Sequence, residues 1–313
     1  MPEIIAPGHV ARHVWNGQLT LNERGAWPRI VIEAVDGLRS LPDPDDNRDP
    51  ATGRWGEVPR AAVRRGKTLT YRGYLEDHQI TRLWDLREDV LQAFTPIEEE
   101  LRMDMVPPAG ISAQLPPGIE APTLFYTARC LQCDVPDRGP DRTAMGWAWP
   151  LAIALRMSDA RFYDTAEQTG ETGPLNIQSG MTFPILKPVV IPAPGGTAGT
   201  ATITVGGRAD VDPVVRLHGP AGNPAIYNDT LGVVLRTRNL ALAADSFLEV
   251  DFRDRIALLE GQSDYSHKVD LAQSTWWDEG VAGLLPGDNT IRFAGEGMAN
   301  PARAELRWHN AIY

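Results

Sequence analysis

Hydrophobic and polar residues alternate with a period of two along much of this chain. The pattern is clearest between Gly232 and Glu260, where three short runs follow one another. Val233, Leu235 and Thr237 interleave with Val234, Arg236 and Arg238. Leu248, Val250 and Phe252 interleave with Phe247, Glu249 and Asp251, and Ile256 and Leu258 follow after Arg253-Asp254-Arg255. Successive side chains of a strand point to opposite faces, so the pattern predicts half-buried antiparallel strands. Ala244-Asp245-Ser246, Arg253-Asp254 and Gly261 supply the turns. The stretch reads as one wall of a β-sandwich.

The same period organises the first half. Asn16-Gly17 between Trp15 and Leu19 predicts a hairpin. Ile30, Ile32 and Ala34 alternate up to a turn at Asp36-Gly37, and Pro42–Pro59, rich in Asp, reads as a polar loop. Leu69 and Tyr71 return the chain to strand. One segment has helical spacing instead: Ile80, Leu83, Trp84, Val90, Leu91 and Phe94 predict a helix over 79–94, with Asp77 as N-cap and Thr95-Pro96 as stop. Trp84 is expected in the core. Leu101, Met103 and Met105 alternate next, and Pro107–Pro122 reads as a loop or arm. Trp147, Trp149, Leu151, Ile153, Leu155 and Met157 face alanines across one strand, which predicts a central strand covered on both sides.

The polar run Asp164–Gly180 is expected to hold a domain boundary, giving domains 1–165 and 166–313. Beyond it, Ile185–Ile191, a turn at Pro192–Gly196, Ala201–Val205, Val214–Leu217, the three opening runs, Thr290–Phe293 and Ala304–Trp308 make about eight short strands. The fold class is mainly β, the second half a sandwich or jelly roll. No fixed-period repeat is present.

Composition narrows the functions. The 313 residues carry Gly 29 and Pro 26, which suits many turns and short strands. A formal charge of −11 disfavours sequence-independent nucleic-acid binding and anionic membranes. Two cysteines make no disulfide scaffold. Met1-Pro2-Glu3-Ile4 does not read as a signal peptide, and the apolar run Gly146–Leu155 is too short for a membrane helix. Lysine is confined to Lys67, Lys187 and Lys268, while arginine is abundant, which suits a GC-rich genome.

Candidate chemistry is sparse. Cys130 and Cys133 have CxxC spacing but lack a second ligand pair for zinc, and Pro136 opposes the helix a redox site uses. His9 and His13 lack the Glu of a His-Glu-x-x-His motif, and His78, His218, His267 and His309 stand singly. Gly261-Gln262-Ser263-Asp264-Tyr265 lacks the closing Gly of a nucleophile elbow. Counted from Asp43, Arg48 and Arg54 occupy the positions a calcium loop needs for Gly and Glu. Pro194–Gly199 has no Lys to make it a phosphate cradle. Glu249 and Asp251 could be half of a glycosidase carboxylate pair, and Trp276-Trp277 a sugar platform, although core positions suit the tryptophans better. No catalytic, cofactor-binding or metal residue is assigned.

Four runs carry a resemblance. Leu155–Asp164 is similar to the segment that closes the first domain of siphophage distal tail proteins, with Ala160 where that family often has Pro. Asn223–Asn228, Leu242–Asp251 and Leu285–Phe293 resemble that family's galectin-like domain, with departures at Ala244, where Gly is common, and at Leu231. The order strand, loop, strand, helix, strand over 30–105 also fits the family's ring-forming domain. The resemblance implies a non-enzymatic virion structural protein, the hub of a long-tailed phage. Residues 1–165 would form a β-sandwich-like ring domain with one helix, and 166–313 a galectin-like sandwich. It implies a ring of about six copies, with the tail tube protein and the tip, baseplate and fibre proteins as further partners. It also implies no cofactor, no specific nucleic-acid binding (though DNA would pass through the lumen) and no membrane insertion. The place would be the virion tail tip, assembled in the host cytoplasm. A carbohydrate-binding adhesion module and a glycoside hydrolase are the alternative readings.

Overall fold

The computed structural model of the chain describes residues 12–23, 25, 27–37, 44–45, 48–50, 57–59, 63–64, 66–106, 123–144, 146–173, 199–278, 281 and 283–313, with backbone alone from 44 to 64. Its contacts divide it into two compact units, Met1–Thr165 with Ala311–Tyr313, and Ala166–Asn310. Pro107–Pro122, Ile185–Ile191 and Pro192–Gly196 lie outside the described residues.

In the first unit, β1 (Arg12–Trp15) and β2 (Leu19–Leu21) form the Asn-Gly hairpin. Asn16 and Gly17 have φ of 47° and 67°, which Asn and Gly tolerate. After β3 (Arg29–Asp36) come β4 (Pro44–Asp45), β5 (Arg48–Pro50), β6 (Glu57–Pro59) and β7 (Val63–Arg64). β4 pairs with β7 and β5 with β6, so the stretch expected as loop carries nested strands. Its prolines and aspartates are poor strand formers and hide the pairing from a periodicity reading. Next are β8 (Thr68–Asp77), α1 (Ile80–Ala93), β9 (Leu101–Val106), β10 (Leu124–Asp134), β11 (Asp141–Thr143) and β12 (Gly146–Arg156).

One strand serves two sheets. β10 pairs with β9 through Leu124–Ala128 and with β12 through Arg129–Asp134, with a bulge between Cys130 and Gln132. The layers are β2-β1-β9-β10 and β3-β8-β12-β10, all antiparallel. Between them lie Trp15, Ile30, Ile32, Leu69, Tyr71, Met103, Tyr126, Trp149 and Leu155, all buried. β12 is paired along both edges, as expected, but its alanine face stays half-buried rather than covered.

α1 packs its Leu83, Leu86 and Val90 into this core, roughly 1.5–3 kcal/mol each at most. Trp15 Nε1 donates to the Ala93 carbonyl at 2.9 Å and its ring stacks on Phe94 at 4.9 Å, which ties the helix end to β1. Two expectations need correction. Gln79, not Asp77, is the N-cap residue, and the Asp77 carboxylate instead accepts from the Gln79 N–H at 2.6 Å. Trp84 is 44% exposed, because the buried face runs through Leu83, Leu86 and Val90 and leaves Trp84 at its margin.

The chain passes into the second unit within β13 (Phe162–Thr172), so Asp164–Thr172 of the polar run is strand. Then follow β14 (Gly199–Val205), β15 (Val214–His218), β16 (Ala221–Asn228), β17 (Val233–Arg236), β18 (Ala241–Leu242), β19 (Phe247–Asp251), β20 (Ile256–Leu259), β21 (Ser263–Asp264), β22 (Gly287–Glu296) and β23 (Arg303–Ile312). Two antiparallel layers result, β23-β15-β19-β20-β21 and β14-β22-β16-β17, with β18 on β16. Val215, Leu217, Leu248, Val250, Ala304 and Leu306 supply buried apolar positions from one layer. Ile203, Ile226, Leu235, Ile291 and Phe293 supply them from the other.

The three opening runs are not one wall. β17 belongs to one layer and β19 and β20 to the other. Between them the chain turns at Asn239, pairs β18 with β16 and turns again at Ala243–Ser246, which carries it across. Among the described residues β13, β18, β21 and β16 are additional to the strands expected, and β16 is the longest of those wholly within the second unit. Gly222, Asn223 and Pro224 mask it, yet it is central to its layer, with a bulge between Gly222 and Ala225. In β20 the inward residue is Ala257, while Ile256 faces out.

Candidate functional site

Cys130, Cys133, His13, Glu249, Asp251, Trp276 and Trp277, among the chemical candidates from the sequence, are taken up by the fold. Cys130 and Cys133 are free thiols on β10, and burial pushes them up to about 11 and about 12, so neither is a ready thiolate. His13 sits on a strand inside the core, with Tyr71 Oη 3.4 Å from Nδ1, and burial lowers its pKa to about 4. Tyr71 in turn shares a short hydrogen bond with Tyr126. Ser263 lies exposed on β21 in a strand pair with β20, followed by a single 3-10 turn, Ser266–Lys268, and not by the long helix of a nucleophile elbow. Glu249 is held by Arg216 at 2.6 Å and Arg307 at 3.0 Å, and the Asp251 carboxylate accepts from the N–H groups of Arg253 and Asp254. These carboxylates are structural partners, not a facing pair. Trp276 is buried and Trp277 half-buried, both against Phe252, so they form no sugar platform. His9, the Asp-rich loop's side chains and Pro194–Ala198 lie outside the described residues. Among the described residues no three His, Cys, Asp or Glu groups gather to hold a metal ion. No helix among them is long and apolar enough to cross a membrane.

The runs behind the resemblance have a physical role. Asn289 is buried and ties its own turn together, accepting from Leu285 N at 3.0 Å and donating to Leu285 O at 2.7 Å. Asn228 Nδ2 reaches Asn289 Oδ1 and Gly283 O, both at 3.4 Å, while its Oδ1 accepts from Leu231 N. Asn223 has φ 44° in the β16 bulge and accepts from Leu240 N at 3.2 Å. In the first unit Asp159 accepts from Arg161 N and Nε and from the Tyr163 hydroxyl, and those bonds hold its carboxyl below the usual range despite burial. These residues close turns that would otherwise leave buried backbone groups unpaired.

Two surfaces remain unexplained by folding alone. On α1 of the first unit, Ile80 and Trp84 are exposed one turn apart. Trp84 meets Trp149 edge-on at 4.5 Å, with the Arg87 guanidinium 5.8 Å from its ring. On the outer face of the β14-β22-β16-β17 layer of the second unit, a depression of about 390 Å³ is rimmed by polar side chains. Sequence reasoning missed it because its residues come from four separated segments, 223–227, 236–239, 270–273 and 294–296.

No family model and no curated protein matches the sequence. The fold does have solved counterparts. One, the Dit protein of phage SPP1, described as a paradigm of the hub adsorption apparatus in phages infecting Gram-positive bacteria, superposes with a TM-score of 0.57. The chain shares its fold with that phage protein. Identity is 12%, and the match covers 97% of this chain and 100% of the SPP1 Dit chain, so it extends through both units. A chain of the phage P2 baseplate in its activated conformation gives a TM-score of 0.48 at 9% identity, over 96% of this chain and 98% of that one.

Proposed function

We propose that this chain is a distal tail hub, a structural protein that joins the tail tube of a long-tailed phage to its tip or baseplate. The carrying observation is the extent of the SPP1 Dit likeness, which runs end to end over both chains. A shared sandwich alone would support little, since sandwiches host many functions. A mainly β chain with one α-helix among the described residues and two units, matched over 97% of its length, is a narrower coincidence. The fate of Glu249, Asp251, Trp276 and Trp277 supports a structural over a glycosidase reading, because each is committed to holding the fold. In the same reading the first unit supplies the ring of about six copies by a repeated head-to-tail contact, and the second carries the neighbours of the tip. The acidic balance of the chain would keep the lumen from holding passing DNA.

The test is the mass of the purified full chain in solution, with negative-stain imaging, and immunogold labelling of virions carrying it. Rings of about six copies and label at the tail tip are expected. A chain that stays monomeric when mixed with its tail tube protein, together with unlabelled virion tails, would overturn the proposal.

A further inference from the structure

We infer that the depression on the outer face of the second unit is a binding site for a neutral saccharide. This inference stands on the second unit's own geometry and not on the hub reading. The volume of about 390 Å³ falls within the range of small-ligand sites, roughly 300–1,000 Å³. Its floor is made of small residues, Ala225, Ala294 and Gly295, where β16 and β22 pair, so space is left between the taller side chains around it. Tyr227, Arg236, Arg238, Asp270, Asn223 and Glu296 also line it, the last two in a 3.4 Å hydrogen bond from Asn223 Nδ2 to Glu296 Oε1.

The rim is electrically balanced. Arg236 and Arg238 bring two positive charges, and Asp270 and Glu296 bring two negative ones. An anion would meet two carboxylates and a cation two guanidiniums, so neither sign is favoured. A hydroxyl, by contrast, donates and accepts at once, and a sugar presents several in a row. Planar groups with two polar atoms, the carboxylates, guanidiniums and amides of this rim, suit adjacent hydroxyls. Part of this capacity is unused. Arg236 NH1 is spent on Gln273 Oε1 at 3.2 Å. Among the described residues the Asp270 carboxylate and the Arg238 guanidinium make no hydrogen bond or ion pair.

The backbone beneath is fixed before any ligand arrives. Asn223 N donates to Leu240 O at 2.7 Å, Arg238 N to Lys268 O at 2.8 Å, Asp270 N to Arg236 O at 2.9 Å, and Thr237 Oγ1 to Pro224 O at 2.8 Å. Asn223 and Asn239 hold left-handed φ of 44° and 50° at the rim, and a bulge here re-aims side chains of β16. A pre-formed rim loses little entropy on binding.

The test is saturation-transfer NMR and calorimetry on the purified full chain with glucose, galactose, rhamnose and N-acetylglucosamine, and with glucuronate and glucosamine as charged counterparts. At least one neutral sugar is expected to bind with Kd on the order of 1 mM, and the charged ones about tenfold more weakly. Ala294→Trp, which fills the floor, and Asp270→Ala are each expected to weaken binding about tenfold or more while the unfolding midpoint stays near that of the parent. Gln273→Ala, on an exposed side chain, is a second probe of the rim should Ala294→Trp unfold. The inference is overturned by silence from all four neutral sugars, by a preference for a charged one, or by binding that Asp270→Ala and Gln273→Ala leave unchanged. Ring formation is read by mass in separate samples, so either proposal can fail alone.

Discussion

The first unit buries an imidazole and two phenols among aromatic rings, whereas the second buries amides and hydroxyls, those of Asn228, Asn289, Thr237 and Ser274, that tie its strands and turns together. Inside the first, His13, Tyr71 and Tyr126 form a hydrogen-bonded cluster among Trp15, Trp149 and Phe94. Outside it, Ile80, Trp84, Ile97 and Leu131 are exposed, against Ile256 and Leu271 on the second unit. The second unit packs mostly aliphatic residues and puts its charges on an outer face, where Arg216, Glu249 and Arg307 link β15, β19 and β23, and His218 lies 3.5 Å from Glu305. Both are antiparallel β units, so the class of fold does not impose the difference. Apolar side chains left outside are surface that a neighbour can cover, and a face of paired charges is surface made to meet water.

Trp15→Ala is the largest break available to this comparison. It removes a fully buried ring, its stack on Phe94 and the hydrogen bond to the Ala93 carbonyl, and should cost about 3–5 kcal/mol. Leu248→Ala in the second unit removes a buried aliphatic side chain and no hydrogen bond, for a cost nearer the lower end of about 2–5 kcal/mol. Urea unfolding of both variants measures the order. If Leu248→Ala proves the costlier, the first core does not depend on its aromatic anchors as described.

Next in size is the effect of acid on the buried imidazole. His13 titrates near 4 in the folded chain and near 6.5 when unfolded. Above pH 6.5 it is neutral in both states and contributes nothing to pH dependence. As pH falls from 6.5 towards 4 the unfolded chain takes up a proton that the folded one refuses. Stability therefore drops across that window, by about 3 kcal/mol in total, and this loss levels off below pH 4. His218 in the second unit is also held below its ordinary value, by burial first and then by Arg303. His13→Gln isolates the first unit's share. Its stability should fall less steeply than the parent's between pH 6.5 and 4 in urea titrations, and an unchanged slope would refute the assignment.

Local rules made much of this fold legible. The Asn16-Gly17 hairpin, the helix over Ile80–Ala93 and the inward series Leu248, Val250, Phe252 follow from turn chemistry and spacing within a few residues. What failed was long-range. Trp84 has the spacing of a buried residue, but which side of α1 meets the sheets is decided by partners such as Trp15 and Trp149. Val233–Arg236 and Phe247–Asp251 look alike as strands, and nothing local says they enter different layers. β16 escaped because Gly222 and Pro224 break its alternation at a bulge. The depression escaped for a related reason: Asn223, Arg236, Asp270 and Glu296 carry no spacing motif, and only strand pairing brings them together.

The smallest effect belongs to the outer face of the second unit. Arg292 makes two 2.9 Å bonds to Asp229 and lies 3.9 Å over the Tyr227 ring, yet both charged side chains are a third or more exposed. Solvent screens such a pair, so Arg292→Ala should change stability by no more than about 1 kcal/mol. The Asp229 carboxyl, now held below its usual range first by that hydrogen bond and then by the nearby charge, should titrate closer to the ordinary carboxylate value. NMR titration of the Asp229 carboxyl reads the second effect and urea unfolding the first. A loss of several kcal/mol would mean that this face is part of the second unit's structural core, and the contrast between the two units would narrow accordingly. A small loss with the expected titration shift would leave the face as a solvated surface, on which Tyr227 is uncovered on one side without disturbing the layer beneath it.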